Sequence, residues 1–131
     1  MVTTRYGGSD ADTLDGGGND DFLAGQSGDD SVRGGFGDDV LVWGGASDGS
    51  DILEATAGAD TVMVQGDGSA NNFVIQQLGA NLQVIDGADS ITVGESIVHV
   101  IVNGGNGNDI LTIGDLSSVP AVHPIVLCFE L

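Results

Sequence analysis

Aliphatic side chains recur every nine residues near the start of the chain, at Leu14, Leu23, Val32 and Leu41. Each stands two residues after an aspartate and follows a glycine-rich stretch. The units are GGSDADTLD (7–15), GGGNDDFLA (16–24), GQSGDDSVR (25–33) and GGFGDDVLV (34–42), with a further copy, GGNGNDILT, at 104–112. Position one is glycine and position six aspartate in all five, and position eight is Leu or Val. A unit this short forms a turn and a strand and cannot bury its one apolar residue alone, so it must stack on copies of itself. The pattern predicts an all-β solenoid in which each unit gives a six-residue turn and a three-residue strand. Alternation along a strand turns position eight inward and positions seven and nine outward. Thr13, Asp15, Ala24, Ser31 and Arg33 suit an outer face. Phe22, Val40 and Val42 do not, and are expected to mark a covered one.

Beyond residue 42 the register slips. Asp39 and Asp51 are twelve residues apart, which places a three-residue insertion within Trp43–Gly49. Asp51 and Asp60 restore the nine-residue step, with Leu53 and Val62 two residues on, but their turns keep only half of the signature. From residue 61 longer β-prone runs follow: Thr61–Val64, Phe73–Gln76, Leu82–Ile85, Ser90–Val93, Ile97–Asn103 and Ile110–Ile113. Between them lie the turn clusters QGDGSANN, GAN, DGAD and NGGNGND. We read 1–131 as a single solenoid domain: a regular array over 7–42, irregular repeats over 43–60, wider coils over 61–116, and a cap or tail over 117–131. Ile125–Phe129 is a candidate closing strand over the open end, where a terminal coil would leave a free edge.

Composition sharpens this picture. Twenty acidic residues face two arginines and no lysine, for a formal charge of −18. Acidic chains are often disordered, but phased Leu and Val serve no purpose in a disordered tail. In a stack, aspartates at one fixed position come close together and repel, so a cation is required. Nucleic acid and an anionic membrane surface are not expected as partners, because phosphate binding needs a basic surface and two arginines do not supply one. Cys128 is the only cysteine, so an internal disulfide and a cysteine zinc cluster are both ruled out. The longest apolar runs, 96–102 and 124–129, are too short to span a bilayer, and a soluble chain is expected. Met1 and the residues after it lack the apolar core of a cleaved signal, so export would proceed without one or as part of a longer precursor.

Glycine and aspartate at this spacing carry a definite chemistry. Glycine reaches the positive φ values that let a short loop aim several carbonyls at one point. Aspartate at position six is a short carboxylate able to reach back over its own loop. Carbonyls and carboxylates make an all-oxygen cage, which suits calcium with its six to eight flexible ligands better than octahedral magnesium. His99 and His123 stand alone, against zinc or iron. The doublets Asp20–Asp21, Asp29–Asp30 and Asp38–Asp39 repeat, as a structural feature does and a single active centre does not. With His99 isolated and no Ser or Cys in a nucleophile motif, the chain reads as a non-enzyme.

The units at 7–42 and 104–112 resemble the GGxGxDxUx nonapeptide of the RTX (hemolysin-type) calcium-binding repeats. That resemblance implies a right-handed parallel β-roll with several Ca2+ ions held between alternate loops, so that loop n shares its metal with loop n+2. Asp12 would then partner Asp30, and Asp21 would partner Asp39, with backbone oxygens of Gly8, Gly17, Gly28 and Gly37 completing the cages. Asp51, Asp60 and Asp89 carry half-motifs and join as candidates. Asp109 has a full motif but no identifiable partner loop. Departures fall at Asp10, Asn19 and Gln26, which stand where the motif has glycine. The resemblance further implies a module that folds on meeting extracellular calcium, exported by type I secretion machinery. Two other readings stay open: a β-solenoid adhesion or surface-binding module that uses calcium only as scaffold, and an excerpt of a larger toxin or hydrolase.

Overall fold

The structure, a computed structural model, describes residues 1–44, 48–94, 97–116 and 125–128. Among them are thirteen strands and no helix: β1 (Thr4–Gly8), β2 (Thr13–Gly18), β3 (Phe22–Gln26), β4 (Ser31–Phe36), β5 (Val40–Trp43), β6 (Asp51–Glu54), β7 (Asp60–Gln65), β8 (Asn72–Leu78), β9 (Asn81–Asp86), β10 (Asp89–Val93), β11 (Ile97–Asn103), β12 (Ile110–Ile113) and β13 (Ile125–Cys128). Strands in the array are longer than the three residues predicted. They run on into the glycines of the next unit, because Gly17 pairs with Gly35 and Gly8 with Gln26 in the same ladders.

The chain alternates between two sheets through its glycine–aspartate loops. One sheet has the order β1-β3-β5-β7-β11-β13, and every neighbouring pair is parallel. The other has the order β12-β8-β9-β10-β6-β4-β2. Here β2, β4, β6 and β10 are parallel, but β10–β9 and β9–β8 are antiparallel before β12 rejoins in parallel on β8.

The expectation of wider coils throughout 61–116 is corrected by this meander. Its cause lies in the turns. Only Gly79–Ala80 separates β8 from β9, and only Gly87–Ala88 separates β9 from β10. Both glycines have positive φ, 63° and 67°. A two-residue loop with positive φ reverses a chain into a hairpin, whereas a parallel return needs a much longer connection. The fold is all-β, with one parallel sheet facing one mixed sheet.

Position-eight side chains form the core of the first half, with Leu23, Val32, Leu41, Leu53 and Val62 fully buried. In the second half, longer strands bury two or more residues each, among them Phe73 and Ile75 on β8 and Val100 and Val102 on β11. Trp43 begins the insertion and points inward, its indole Nε1–H donating to Gly49 O at 2.9 Å. Ala24 faces outward as expected but is buried there. On the outer face of the parallel sheet it lies in register between Tyr6 and Val42, whose larger side chains shelter it. Phe22, half-buried, meets Tyr6 edge-on at 6.4 Å between centroids. Among the described residues no helix is long and apolar enough to cross a membrane.

Candidate metal centre

One hydrogen bond repeats up the stack and organises every loop. The N–H at position six donates to the carboxylate Oδ1 at position six two units later. Asp12 N reaches Asp30 Oδ1 at 2.8 Å, Asp21 N reaches Asp39 at 2.8 Å, Asp30 N reaches Asp51 at 3.0 Å and Asp39 N reaches Asp60 at 2.9 Å. Thr3 N closes on Asp21 Oδ1 at 2.7 Å in the same way. Asp51 and Asp60, which carry only half of the motif, therefore occupy the same geometry as the aspartates of the regular array.

The second carboxylate oxygen explains the glycine at position one. A Cβ added at Gly7 would lie 2.9 Å from Asp12 Oδ2, at Gly16 2.8 Å from Asp21 Oδ2 and at Gly104 2.5 Å from Asp109 Oδ2, and at Gly7 and Gly16 it would also run into the carbonyls of Gly25 and Gly34 on the facing rung. At Gly25 and Gly34 it would come closer still to Asp30 and Asp39. The carboxylate folds back over its own loop and fills the space a side chain would need. Positions two and four carry the left-handed backbone, with φ of 130° at Gly8, 131° at Gly28, 122° at Gly37 and 141° at Gly58. Asn19 and Gln26 hold positive φ without being glycine; a side-chain bond from Asn19 Nδ2 to Gly18 O eases it there, whereas Gln26 does so at a cost of about 1–2 kcal/mol.

These buried carboxylates are incompletely satisfied. Asp21, Asp30, Asp39, Asp51 and Asp60 are 3%, 3%, 1%, 2% and 0% exposed, and the Oδ2 of each has no hydrogen-bond partner. A buried carboxylate oxygen without a donor is costly unless a cation meets it. Burial pushes the Asp51 carboxyl up to about 7, against the pull of the Asp30 N–H and with the help of the carboxylates of Asp30, Asp48 and Asp29. Asp39 is raised by burial and by Asp60, Asp21 and Asp20, and Asp60 by burial and Asp38, each against one backbone N–H.

The donors present suit a hard cation. Carboxylates are strung one per rung beside stacked backbone carbonyls, and among the described residues no three His, Cys, Asp or Glu side chains converge on one point. Gly8 O accepts from Ser27 N at 3.0 Å. The carbonyls of Gly17, Gly28 and Gly37 press beneath Gly35, Gly49 and Gly58 of the next loop on the same side, where a Cβ would collide with them. An all-oxygen set rich in neutral carbonyls fits calcium.

Asp109 gains the partner that the sequence leaves unidentified. Asn71 N donates to its Oδ1 at 2.9 Å, and Gly66 N donates to Asn103 O at 2.7 Å, so loop 66–71 stacks on loop 104–109. Residues 66–74, GDGSANNFV, are a degenerate nonapeptide with glycine at position one, Asn71 at six and Phe73 at eight. Asn71 Oδ1 is buried without a partner, while its Nδ2 donates to Asp86 Oδ2 at 3.1 Å. Asp89 sits elsewhere, pairing with Asp86 across a hairpin rather than entering a stacked loop.

The RTX calcium-binding nonapeptide repeat model matches residues 6–41, 43–72 and 100–115 in four copies. The chain belongs to this RTX family. No curated protein matches it significantly. RTX repeats are calcium-binding structural units and not catalytic ones, and here the match takes in the half-motifs of Asp51 and Asp60 as well as loop 66–71.

Proposed function

We propose that this RTX chain is a calcium-dependent folding module of an exported protein, compacting when it meets extracellular calcium. One observation carries the reading: five buried aspartates on successive rungs keep an unpartnered Oδ2. In this reading Asp12, Asp21, Asp30, Asp39, Asp51, Asp60 and Asp109 are the carboxylate ligands. Gly8, Gly17, Gly28 and Gly37 lend carbonyl oxygens. A bound ion supplies positive charge between the loops. The residues do the rest: position-one glycines make room for the carboxylates, position-six N–H groups orient them, and the apolar stack excludes water from one side.

Extracellular calcium modules bind at about 10⁻⁴–10⁻³ M, above cytosolic calcium. Inside the cell the chain's −18 charge opposes compaction. Passage through a type I secretion channel as an unfolded chain, followed by folding outside, fits that difference. Free calcium tenfold above the dissociation constant would add about 1.4 kcal/mol per site. Far-UV circular dichroism during a calcium titration tests this, with magnesium as control. Coil-like spectra in EGTA and β-rich spectra at millimolar calcium are expected. A chain equally folded in EGTA at neutral pH would refute it.

A further inference from the structure

The aspartates one step before the loop carboxylates form a second ladder that runs the opposite way. Asp38 N donates to Asp20 Oδ1 at 2.9 Å, Ser50 N to Asp29 Oδ1 at 3.0 Å and Ala59 N to Asp38 Oδ1 at 2.8 Å. Position-six carboxylates thus reach back to the loop beneath, and position-five carboxylates reach forward to the loop above. In the Asp39 loop two consecutive peptide N–H groups, those of Asp38 and Asp39, are held from opposite sides, by Asp20 and Asp60. Asp29 Oδ1 also lies 3.0 Å from where a Cβ on Gly49 would sit, and Asp38 Oδ1 3.2 Å from one on Gly58. Both therefore press on the left-handed glycine of the facing loop.

This second ladder divides the inter-loop spaces into two kinds. Between the Asp21 and Asp39 loops stand Asp20 and Asp39. Asp29 and Asp51 stand between the Asp30 and Asp51 loops, and Asp38 and Asp60 between the Asp39 and Asp60 loops. Between the Asp12 and Asp30 loops position five of the lower loop is Ala11, and between the Asn71 and Asp109 loops it is Ala70. Those two spaces have a single carboxylate clamp. The upper carboxylates of the three doubly clamped spaces, Asp39, Asp51 and Asp60, each carry an unpartnered Oδ2, as does Asp30 above Ala11, so the carboxylate at position five is what distinguishes the two kinds of space.

We propose that Asp20, Asp29 and Asp38 are positioning residues that set calcium affinity, giving the stack three strong central sites and two weaker outer ones. The inference rests on the calcium reading above and extends it. Ligand charge count and loop rigidity govern the affinity of oxygen cages, and position-five aspartates contribute to both. Central loops then fill first and the outer loops at higher calcium.

The test uses the intact chain and calcium alone. Equilibrium dialysis counts bound ions, and circular dichroism gives the folding midpoint. Wild type should bind in two phases. The triple variant Asp20→Asn, Asp29→Asn, Asp38→Asn keeps an acceptor oxygen for each N–H but removes the charge, so a merely structural hydrogen bond leaves its calcium midpoint in place. We expect that midpoint to rise about three- to tenfold. Ala11→Asp and Ala70→Asp, both at exposed positions, supply the missing carboxylates and should tighten the weak phase. This gain keeps the inference testable should the triple variant fail to fold. Unchanged binding in the alanine-to-aspartate variants, or an unmoved midpoint in the triple variant, overturns the proposal while the calcium reading stands. A wild-type chain that ignores calcium overturns both.

Discussion

At the scale of single residues, the glycines divide by what surrounds them. Gly25 has an ordinary backbone, yet a Cβ there would overlap the Asp30 carboxylate. Gly18 has nothing within 4 Å and no positive φ. Gly25→Ala should therefore destabilise the calcium-loaded fold by about 1–3 kcal/mol, as overpacking does, whereas Gly18→Ala should stay within about 0.5 kcal/mol. Urea unfolding at saturating calcium measures both, and equal losses would mean that the space at position one is not what glycine provides. Asp30→Ala should also raise the calcium midpoint, while Asp115→Ala, outside the stacked loops, should leave it near its wild-type value. Most of this was legible beforehand. Five phased copies single out position six and position one without any coordinates. Asn71 was not legible, because its side chain breaks the aspartate pattern and its partner Asp109 lies 38 residues away. The position-five doublets were visible but silent, since only the stacking of loops shows which N–H each carboxylate meets.

At the scale of elements, the regular array and the strands from β7 onward follow from apolar spacing, but the way those strands pair does not. The clusters GAN and DGAD look like turns of either kind. What decides is length: two residues between strand ends make a hairpin, and three to seven make a crossover between sheets along β1 to β12. The insertion at 43–49 likewise announces itself as a register slip without revealing its use. In the structure it lets β5 carry a second inward residue, Trp43, whose indole bonds the backbone at Gly49 beside the Asp51 loop. Trp43→Phe removes that donor and leaves a void. A loss of about 2 kcal/mol is expected from the two effects together, read as a lower urea midpoint at fixed calcium. Because Trp43 is the only tryptophan, its emission in wild type should shift to the blue with the same calcium midpoint as the circular dichroism. Separate midpoints would show that the insertion orders independently of the stack.

At the scale of the whole molecule, protons and calcium compete for the same carboxylates, and their effects on folding have opposite signs. Without metal, the folded chain holds Asp39, Asp51 and Asp60 above the ordinary 3.8, chiefly through burial, with Asp51 at about 7. A carboxylate raised by folding binds its proton more tightly in the folded state than in the unfolded one. Its contribution favours folding fully below pH 3.8 and is lost as pH rises through the folded value. In EGTA, lowering the pH from about 7 toward 4 should therefore compact the chain, and the easing of its −18 charge acts in the same direction. With calcium present the sign reverses for binding, because the ion needs ionised ligands, so the calcium midpoint should rise as pH falls. Circular dichroism against pH at two calcium levels checks both slopes. If acid in EGTA only loosens the chain further, the aspartates are not buried in the metal-free fold, and the placement of Asp51 and Asp60 inside the stack is wrong.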